Sequence, residues 1–69
     1  MTVNTTTYTV NGMTCGHCVA SVTEELKSIA GVLDVVVDLG SGRVEVTSDV
    51  PLDPVAVRGA VEEAGYALA

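Results

Sequence analysis

The sequence contains no phenylalanine and no tryptophan, and only three of its 69 residues are lysine or arginine. Nine aspartate and glutamate residues give it a formal net charge of −6 at pH 7. Binding of nucleic acid or of an anionic membrane surface depends on clustered basic residues, so this charge argues against both kinds of partner. A basic patch on a partner protein would complement the acidic residues, which also serve to keep a small protein soluble.

Targeting and membrane-spanning segments are also lacking. The first ten residues, MTVNTTTYTV, have neither the basic stretch nor the apolar segment of a secretory signal. Asp34 and Asp38 interrupt the longest apolar stretches, which leaves no segment that could span a bilayer. We therefore expect a cytoplasmic protein without direct membrane insertion. In that compartment a close cysteine pair is more often metal-binding or catalytic than a structural disulfide.

The composition is that of one small folded domain. Hydrophobic residues make up 48% of the sequence, whereas disordered chains combine low hydrophobicity with high charge. A chain of this length buries only about 60% of the surface that its unfolded form exposes, so the core must be thin. We predict a single domain over residues 1–69.

Alternation of apolar and polar residues predicts four β-strands, at residues 5–10, 32–39, 43–48 and 66–68. In the first strand Tyr8 and Val10 would face inward. In the second, the alternation directs four side chains to one side, namely Leu33, Val35, Val37 and Leu39. The segment Gly40-Ser41-Gly42 is typical of a hairpin turn between the second and third strands.

Apolar residues at helical spacing predict two helices, one from Cys18 onward and one from Pro54. Asp53 is expected to cap the second helix, with Pro54 at its first position. Gly31 is placed to end the first helix as a left-handed C′ residue, and Gly65 to end the second. The order β-α-β-β-α-β predicts an α+β, ferredoxin-like sandwich, in which two helices cover one face of a four-stranded antiparallel sheet.

The chemically distinctive segment is GMTCGHC, residues 12–18, which we call the cysteine loop. It holds both cysteines and the one histidine of the chain, and it leads from the first strand into the first helix. Unpaired N–H groups and the helix dipole favour anions there, so both thiols should ionise more readily than ordinary cysteine. An exposed thiolate of this kind suits a metal ligand or a redox nucleophile.

The ligand set favours copper(I) over zinc. A structural zinc site is closed by four ligands, whereas this chain offers two cysteines and His17, which is held between them in a tight turn. Soft thiolates select copper(I), and this d¹⁰ ion is satisfied by two of them. A CxxC pair alone occurs in many settings, but its position at the strand-to-helix turn of a βαββαβ domain is more specific.

With this motif the chain resembles the heavy-metal-associated domain family, and within it the small bacterial copper chaperones. Residues 12–18 match the family signature GMxCxxC, and Gly31-Val32 and Gly65-Tyr66 add support. The resemblance extends over roughly residues 5–68. It implies a ferredoxin-like copper(I)-binding protein of copper homeostasis that is not an enzyme.

The resemblance also implies which residues bind the metal. Cys15 and Cys18 would be the copper(I) ligands. Position 14 is threonine, where members that handle zinc or lead often carry an acidic residue, and this difference favours copper(I). Mercury-handling relatives share the GMTCxxC motif, but they are typically exported.

Neighbouring residues acquire expected roles in the same way. Gly12 and Met13 would support the cysteine loop, Met13 by packing beneath it rather than by binding metal. Tyr66 lies where such bacterial chaperones carry a tyrosine near the metal, and a purely structural ring is the equal alternative. His17 would point to solvent in the monomer. It could supply an auxiliary ligand if two loaded copies met loop to loop in a copper-bridged homodimer.

The implied function is transfer of Cu(I), by thiolate ligand exchange, to the metal-binding domain of a copper-exporting P-type ATPase. A copper-sensing repressor is a further possible recipient. The chain could instead be an excised domain of such an ATPase, although Met1 and the end soon after the last strand favour a separate protein. A thiol-disulfide redox protein is another alternative, with Cys15 as nucleophile and Cys18 as resolving thiol, but such motifs belong in longer, thioredoxin-like chains. A bare interaction module would leave the paired thiols unexplained.

Overall fold

A computed structural model describes residues 3–14 and 16–69 of the chain. It contains six elements in the predicted order, β1 (Asn4–Asn11), α1 (Gly16–Lys27), β2 (Val32–Asp38), β3 (Arg43–Ser48), α2 (Pro54–Glu63) and β4 (Ala67–Leu68). The described helices are too short and too polar to cross a membrane.

The four strands form one antiparallel sheet in the order β2-β3-β1-β4. β1 pairs with β3 from Asn4 opposite Ser48 to Thr9 opposite Arg43. At the other end of β1, Val10 pairs with Leu68 of β4, and its N–H donates to the Gly42 carbonyl at 2.8 Å on the opposite side. The end of β1 that leads into the cysteine loop is therefore held by neighbours on both sides.

One hydrophobic core joins the sheet to both helices. Its buried members come from α1, α2 and three strands, which places the two helices on the same face of the sheet, as predicted: Val10, Val22, Leu26, Val35, Val44, Val46, Val57 and Val61. Val22 and Leu26 are one helical turn apart, as are Val57 and Val61, so each helix presents one apolar stripe to the sheet. Tyr8 packs against the edge of this cluster, which confirms its inward orientation.

The prediction for β2 is wrong at its two leucines. Val35 is buried, but Leu33 is 55% exposed and Leu39 is 37% exposed. The register shifts between Val32 and Asp34, which pair with Ser48 and Thr47 respectively, so Leu33 is an extra residue in a bulge. The bulge lets Val32 pack against the core in place of Leu33. Leu39 lies beyond the end of the strand.

The two glycines predicted to end the helices behave differently. Gly65 follows Ala64, the C-cap residue of α2, and is left-handed, with φ +94°. Gly31 is also left-handed, with φ +91°, but α1 has already ended at Lys27. Gly31 belongs instead to the turn into β2, where its carbonyl accepts a hydrogen bond from the Asp49 N–H at 3.0 Å. The predicted conformation of Gly31 is correct and its predicted role as the helix terminator is wrong.

Candidate metal-binding loop

The cysteine loop follows β1, and its residues 16–18 form the first turn of α1, which begins two residues earlier than the sequence predicts. Gly12 begins the loop with φ +95°, a conformation that favours glycine. A Cβ atom built at Gly12 would lie 3.2 Å from Cδ1 of Tyr66. Gly12 is therefore favoured by the backbone turn, and the Tyr66 ring would have to shift slightly to admit a side chain there.

Cys18 lies in the first turn of α1 and is buried, with 8% of its surface exposed. The expectation of an exposed thiol is thus wrong for this residue. The reason is helical periodicity, because Cys18 precedes Val22 by four positions and shares its inward face. Counting Cys18 as the first member of that apolar stripe would have predicted its burial from sequence.

Thr14 contacts Cys18 across the loop. Its Oγ1 lies 3.9 Å from the Cys18 Sγ, within the range of a weak hydrogen bond to sulfur, and either atom can be the donor. In the sequence, position 14 is informative only as the place of a missing carboxylate, and this contact is not predicted. The four-residue spacing of Thr14 and Cys18 across a helix start was the available signal.

Cys15, the other predicted ligand, lies outside the described residues, so the two-thiolate site remains a prediction. Across residues 3–14 and 16–69, no group of three or more His, Cys, Asp and Glu side chains is placed to hold a metal ion. His17 is exposed on α1, and its backbone carbonyl accepts a hydrogen bond from Ser21 Oγ at 3.2 Å. Its predicted role as an auxiliary ligand also remains a prediction.

Met13 and Tyr66 lie beneath the loop. Both side chains are half-buried and pack against the hydrophobic core. The Tyr66 ring lies next to Gly12, and Met13 packs against the core, while their role in supporting the loop remains a prediction. The contact between Tyr66 and Gly12 joins residues that are distant in the sequence, so no local pattern could have revealed it.

The two sequence segments that contain the loop and Tyr66 have no aspartate, glutamate, lysine or arginine. The first aspartate, glutamate, lysine or arginine in the sequence is Glu24, and the last six residues, from Ala64 to Ala69, are also uncharged. The acidic residues that give the net charge therefore lie between these two segments, from Glu24 to Glu63. In the fold, however, charged side chains come to the same end of the sheet, because Arg43 of β3 pairs with Thr9 of β1 and with Asp38 of β2.

Comparison with known families and relatives agrees with this geometry. The model of the heavy-metal-associated domain matches residues 7–67. Copper-transporting ATPase 2 of Rhizobium meliloti is 39% identical over 62 residues, which are 90% of this chain and 8% of the transporter. A probable cadmium-transporting ATPase of Listeria monocytogenes is 33% identical over 57 residues, 83% of this chain and 8% of that protein. The chain thus spans less than a tenth of the length of these transporters.

Relatives of similar size also match. The copper chaperone CopZ of Staphylococcus aureus is 40% identical over 58 residues, which are 83% of this chain and 85% of CopZ. Among solved structures, a CopZ metallochaperone superposes with a TM-score of 0.89 at 33% identity, covering 96% of this chain and 100% of that one. The chain therefore belongs to the heavy-metal-associated domain family, as a relative of CopZ copper chaperones and of domains in heavy-metal-transporting ATPases.

Proposed function

We propose that this chain is a cytoplasmic copper(I) chaperone without catalytic activity, a single domain over residues 1–69. Its cargo would be one Cu(I) ion held between the thiolates of Cys15 and Cys18. The observation that carries the proposal is the position of Cys18 in the first turn of α1, at the end of the cysteine loop. A relative of nearly equal length, CopZ of Staphylococcus aureus, is a copper chaperone.

The chain contributes to binding in two ways. The N-terminus of α1 has no acidic residue in its first turn, so its partial positive charge is available to stabilise thiolates. Two thiolates are sufficient for Cu(I), whereas a closed zinc site needs four ligands. Tyr66 would support the loop by packing against Gly12, and Met13 would anchor it to the core, so the sulfur positions would depend on the core as well as on the loop itself.

Transfer would proceed by exchange of one Cu–S bond for another with an incoming thiolate of the recipient. Cys18 is buried, so a partner cannot reach it before the ion has moved outward. We therefore expect the bond to Cys18 to be the last one broken. The proposed recipient is the metal-binding domain of a copper-exporting P-type ATPase, and a copper-sensing repressor is a further proposed recipient.

Docking to the recipient would be transient. We expect an interface below about 1,200 Å² in total, the range of weak transfer encounters. The excess of acidic residues would steer the encounter and set its orientation more than it would add to affinity. A copper-bridged homodimer, with His17 as a shared ligand, is proposed for the loaded protein at high concentration.

The test is an anaerobic titration of the reduced protein with Cu(I) against a competing chelator, with Zn(II) and Cd(II) in parallel. We expect tight Cu(I) binding that is abolished in the Cys15→Ser/Cys18→Ser double variant, with the divalent ions bound far more weakly. Weak Cu(I) binding by the dithiol form would refute the chaperone function. The reduction potential of the Cys15–Cys18 pair would then test the redox alternative.

A second candidate is that the chain is one domain of a larger metal-transporting ATPase. The match to copper-transporting ATPase 2 of Rhizobium meliloti favours it, because it covers 90% of this chain. An antibody raised against the chain distinguishes the two in a cell extract. A band near the 7.0 kDa mass of this sequence supports the separate chaperone, and a band of transporter size supports the second candidate.

A further inference from the structure

Tyr66 connects the cysteine loop to the rest of the fold. A Cβ atom built at Gly12 would lie 3.2 Å from Cδ1 and 3.9 Å from Cε1 of Tyr66, so the ring lies directly against the Gly12 backbone. The same ring packs against the hydrophobic core. Any change that displaces Tyr66 therefore removes a support from the first residue of the loop.

The position of Tyr66 depends on how α2 ends. The N–H of Gly65 donates to the Glu62 carbonyl at 2.9 Å, and the N–H of Tyr66 donates to the Val61 carbonyl at 3.1 Å. Ala64 is the C-cap residue of α2 and Gly65 has φ +94°, so these two hydrogen bonds form a Schellman motif. The motif reverses the chain direction at Gly65 and brings Tyr66 back against the core.

The need for glycine at position 65 is conformational. No described atom lies within 4 Å of a Cβ atom built there, so a larger residue would meet open space. Only the left-handed φ disfavours other residues, and asparagine tolerates such values better than alanine does. Substitutions at Gly65 therefore change the backbone at this turn without introducing a clash.

We propose that Gly65 is a positioning residue for the cysteine loop. Its left-handed turn holds the Tyr66 ring against Gly12, and this contact keeps the loop ordered before copper arrives. A loop that is already ordered loses less conformational freedom on binding and therefore binds more tightly. This inference rests on the proposed copper(I)-binding function.

The chain offers a control for global destabilisation in Gly31. It is also a left-handed glycine, but a Cβ atom built there would lie 2.5 Å from Val50 Cγ2 and 3.1 Å from Asp49 Oδ1, beside the end of β3 and opposite the start of β1. Gly31 lies near the start of β1, and the cysteine loop follows its end. Since β1 has eight residues, Gly31 and the loop are roughly 25 Å apart along the sheet, at about 3.3 Å per residue. Gly31→Ala should destabilise the fold without reaching the loop.

The experiment compares Gly65→Ala, Gly65→Asn and Gly31→Ala by Cu(I) competition titration and by urea unfolding. We expect Gly65→Ala to weaken Cu(I) binding about fivefold. This factor corresponds to the free-energy cost of holding one non-glycine residue in the left-handed conformation. Gly65→Asn should recover most of this loss. Gly31→Ala should lower stability while leaving the Cu(I) affinity within about twofold of wild type.

A double-mutant cycle tests whether the effect passes through the Tyr66 ring. In a Tyr66→Leu background, Gly65→Ala should cause no further loss of Cu(I) affinity. An undiminished effect in that background would overturn the proposal. Equal weakening by Gly65→Ala and Gly31→Ala at equal loss of stability would overturn it as well.

A metal-free measurement separates this inference from the proposed function. We expect Gly65→Ala to accelerate amide hydrogen exchange at Gly12 and Met13 in the apoprotein, whereas Gly31→Ala should not do so beyond its effect on global stability. Unchanged exchange in Gly65→Ala would refute the positioning role. If wild type bound no Cu(I), the function would fail, and the exchange data would still decide whether Gly65 orders the loop. If Tyr66→Leu does not fold, the exchange data on Gly65→Ala and Gly31→Ala still decide whether Gly65 orders the loop.

Discussion

The two helices differ in how their N-termini are completed. The Asp53 carboxylate accepts a hydrogen bond from the Val55 N–H at 2.9 Å, and Pro54 takes the first position of α2, where its missing N–H is not needed. Neither helix has an acidic residue in its first turn, and α1, which begins at Gly16, carries Cys18 as its third residue. α2 is capped by the carboxylate that precedes it, whereas the sequence has Cys15, and no carboxylate, directly before Gly16 of α1.

This difference separates stability from function within one small fold. Both helices bury the same kind of apolar stripe, which includes Val22 and Leu26 in α1 and Val57 and Val61 in α2. The two helices differ in the residues that precede their N-termini. A carboxylate at the start of α1 would stabilise the helix but would compete with thiolates for the same N–H groups. The sequence therefore lacks a stabilising cap at the turn where metal binding is expected.

The largest expected effect concerns the buried stripe that the helices share. Leu26→Ala should lower the free energy of unfolding by about 2–4 kcal/mol, because it removes a fully buried side chain from a thin core. Urea unfolding measures this change. The control is Val55→Ala, at a residue that is 76% exposed on α2, which should cost less than about 0.5 kcal/mol. Equal losses in both variants would contradict the assignment of the core.

The cap of α2 should contribute to stability alone. Asp53→Ala should cost about 1 kcal/mol, because the Val55 N–H loses its acceptor, while Asp53→Asn should retain most of the stability. Thermal unfolding with and without Cu(I) gives both values. We expect the Cu(I) affinity of the two variants to equal that of wild type, and a loss of affinity in Asp53→Ala would show that α2 capping affects the metal site.

The interior of α2 offers a stabilising change. Gly59 is exposed within the helix, and no described atom lies within 4 Å of a Cβ atom built there. Gly59→Ala should therefore raise the free energy of unfolding by about 0.5–1 kcal/mol, through the lower chain entropy of the unfolded state. Ala56→Gly, at an exposed position of the same helix, is the matched control and should lower it by a similar amount. A lower free energy of unfolding in Gly59→Ala than in wild type would mean that another part of the protein packs against this face of the helix.

The smallest expected effect comes from giving α1 the acidic residue that it lacks. His17→Asp places a carboxylate on the exposed first turn, and it should stabilise the apoprotein by about 0.3–1 kcal/mol through the helix dipole. The same charge opposes thiolate formation nearby, so Cu(I) affinity should fall, and more so at low salt. His17→Asn is the uncharged control. A gain in both stability and Cu(I) affinity would contradict the contrast between the helices.

Local patterns were sufficient for most of the fold. Alternation and helical spacing predicted all six elements, and the Asp53-Pro54 pair predicted the start of α2, because these features depend on neighbouring residues. The exposure of Leu33 could not be predicted, since it follows from a bulge that is set by pairing with β3. The helix end near Gly31 was misplaced because the same left-handed conformation serves the turn into β2.

The site shows the same division between local and distant features. The position of the cysteine loop at a strand-to-helix turn was predicted from sequence and is confirmed. The burial of Cys18 was not predicted, although its spacing from Val22 contains that information. The packing of Tyr66 on Gly12 depends on how α2 returns to the end of β1, which only the assembled fold reveals.

The central claim is a copper(I) site made of two thiolates, and X-ray absorption spectroscopy of the protein loaded with one equivalent of Cu(I) tests it most directly. At a concentration where the protein is monomeric, the account predicts two sulfur ligands, no nitrogen or oxygen ligand, and an unchanged spectrum in His17→Asn. A nitrogen ligand that disappears in His17→Asn, or a metal shell without sulfur, would contradict it.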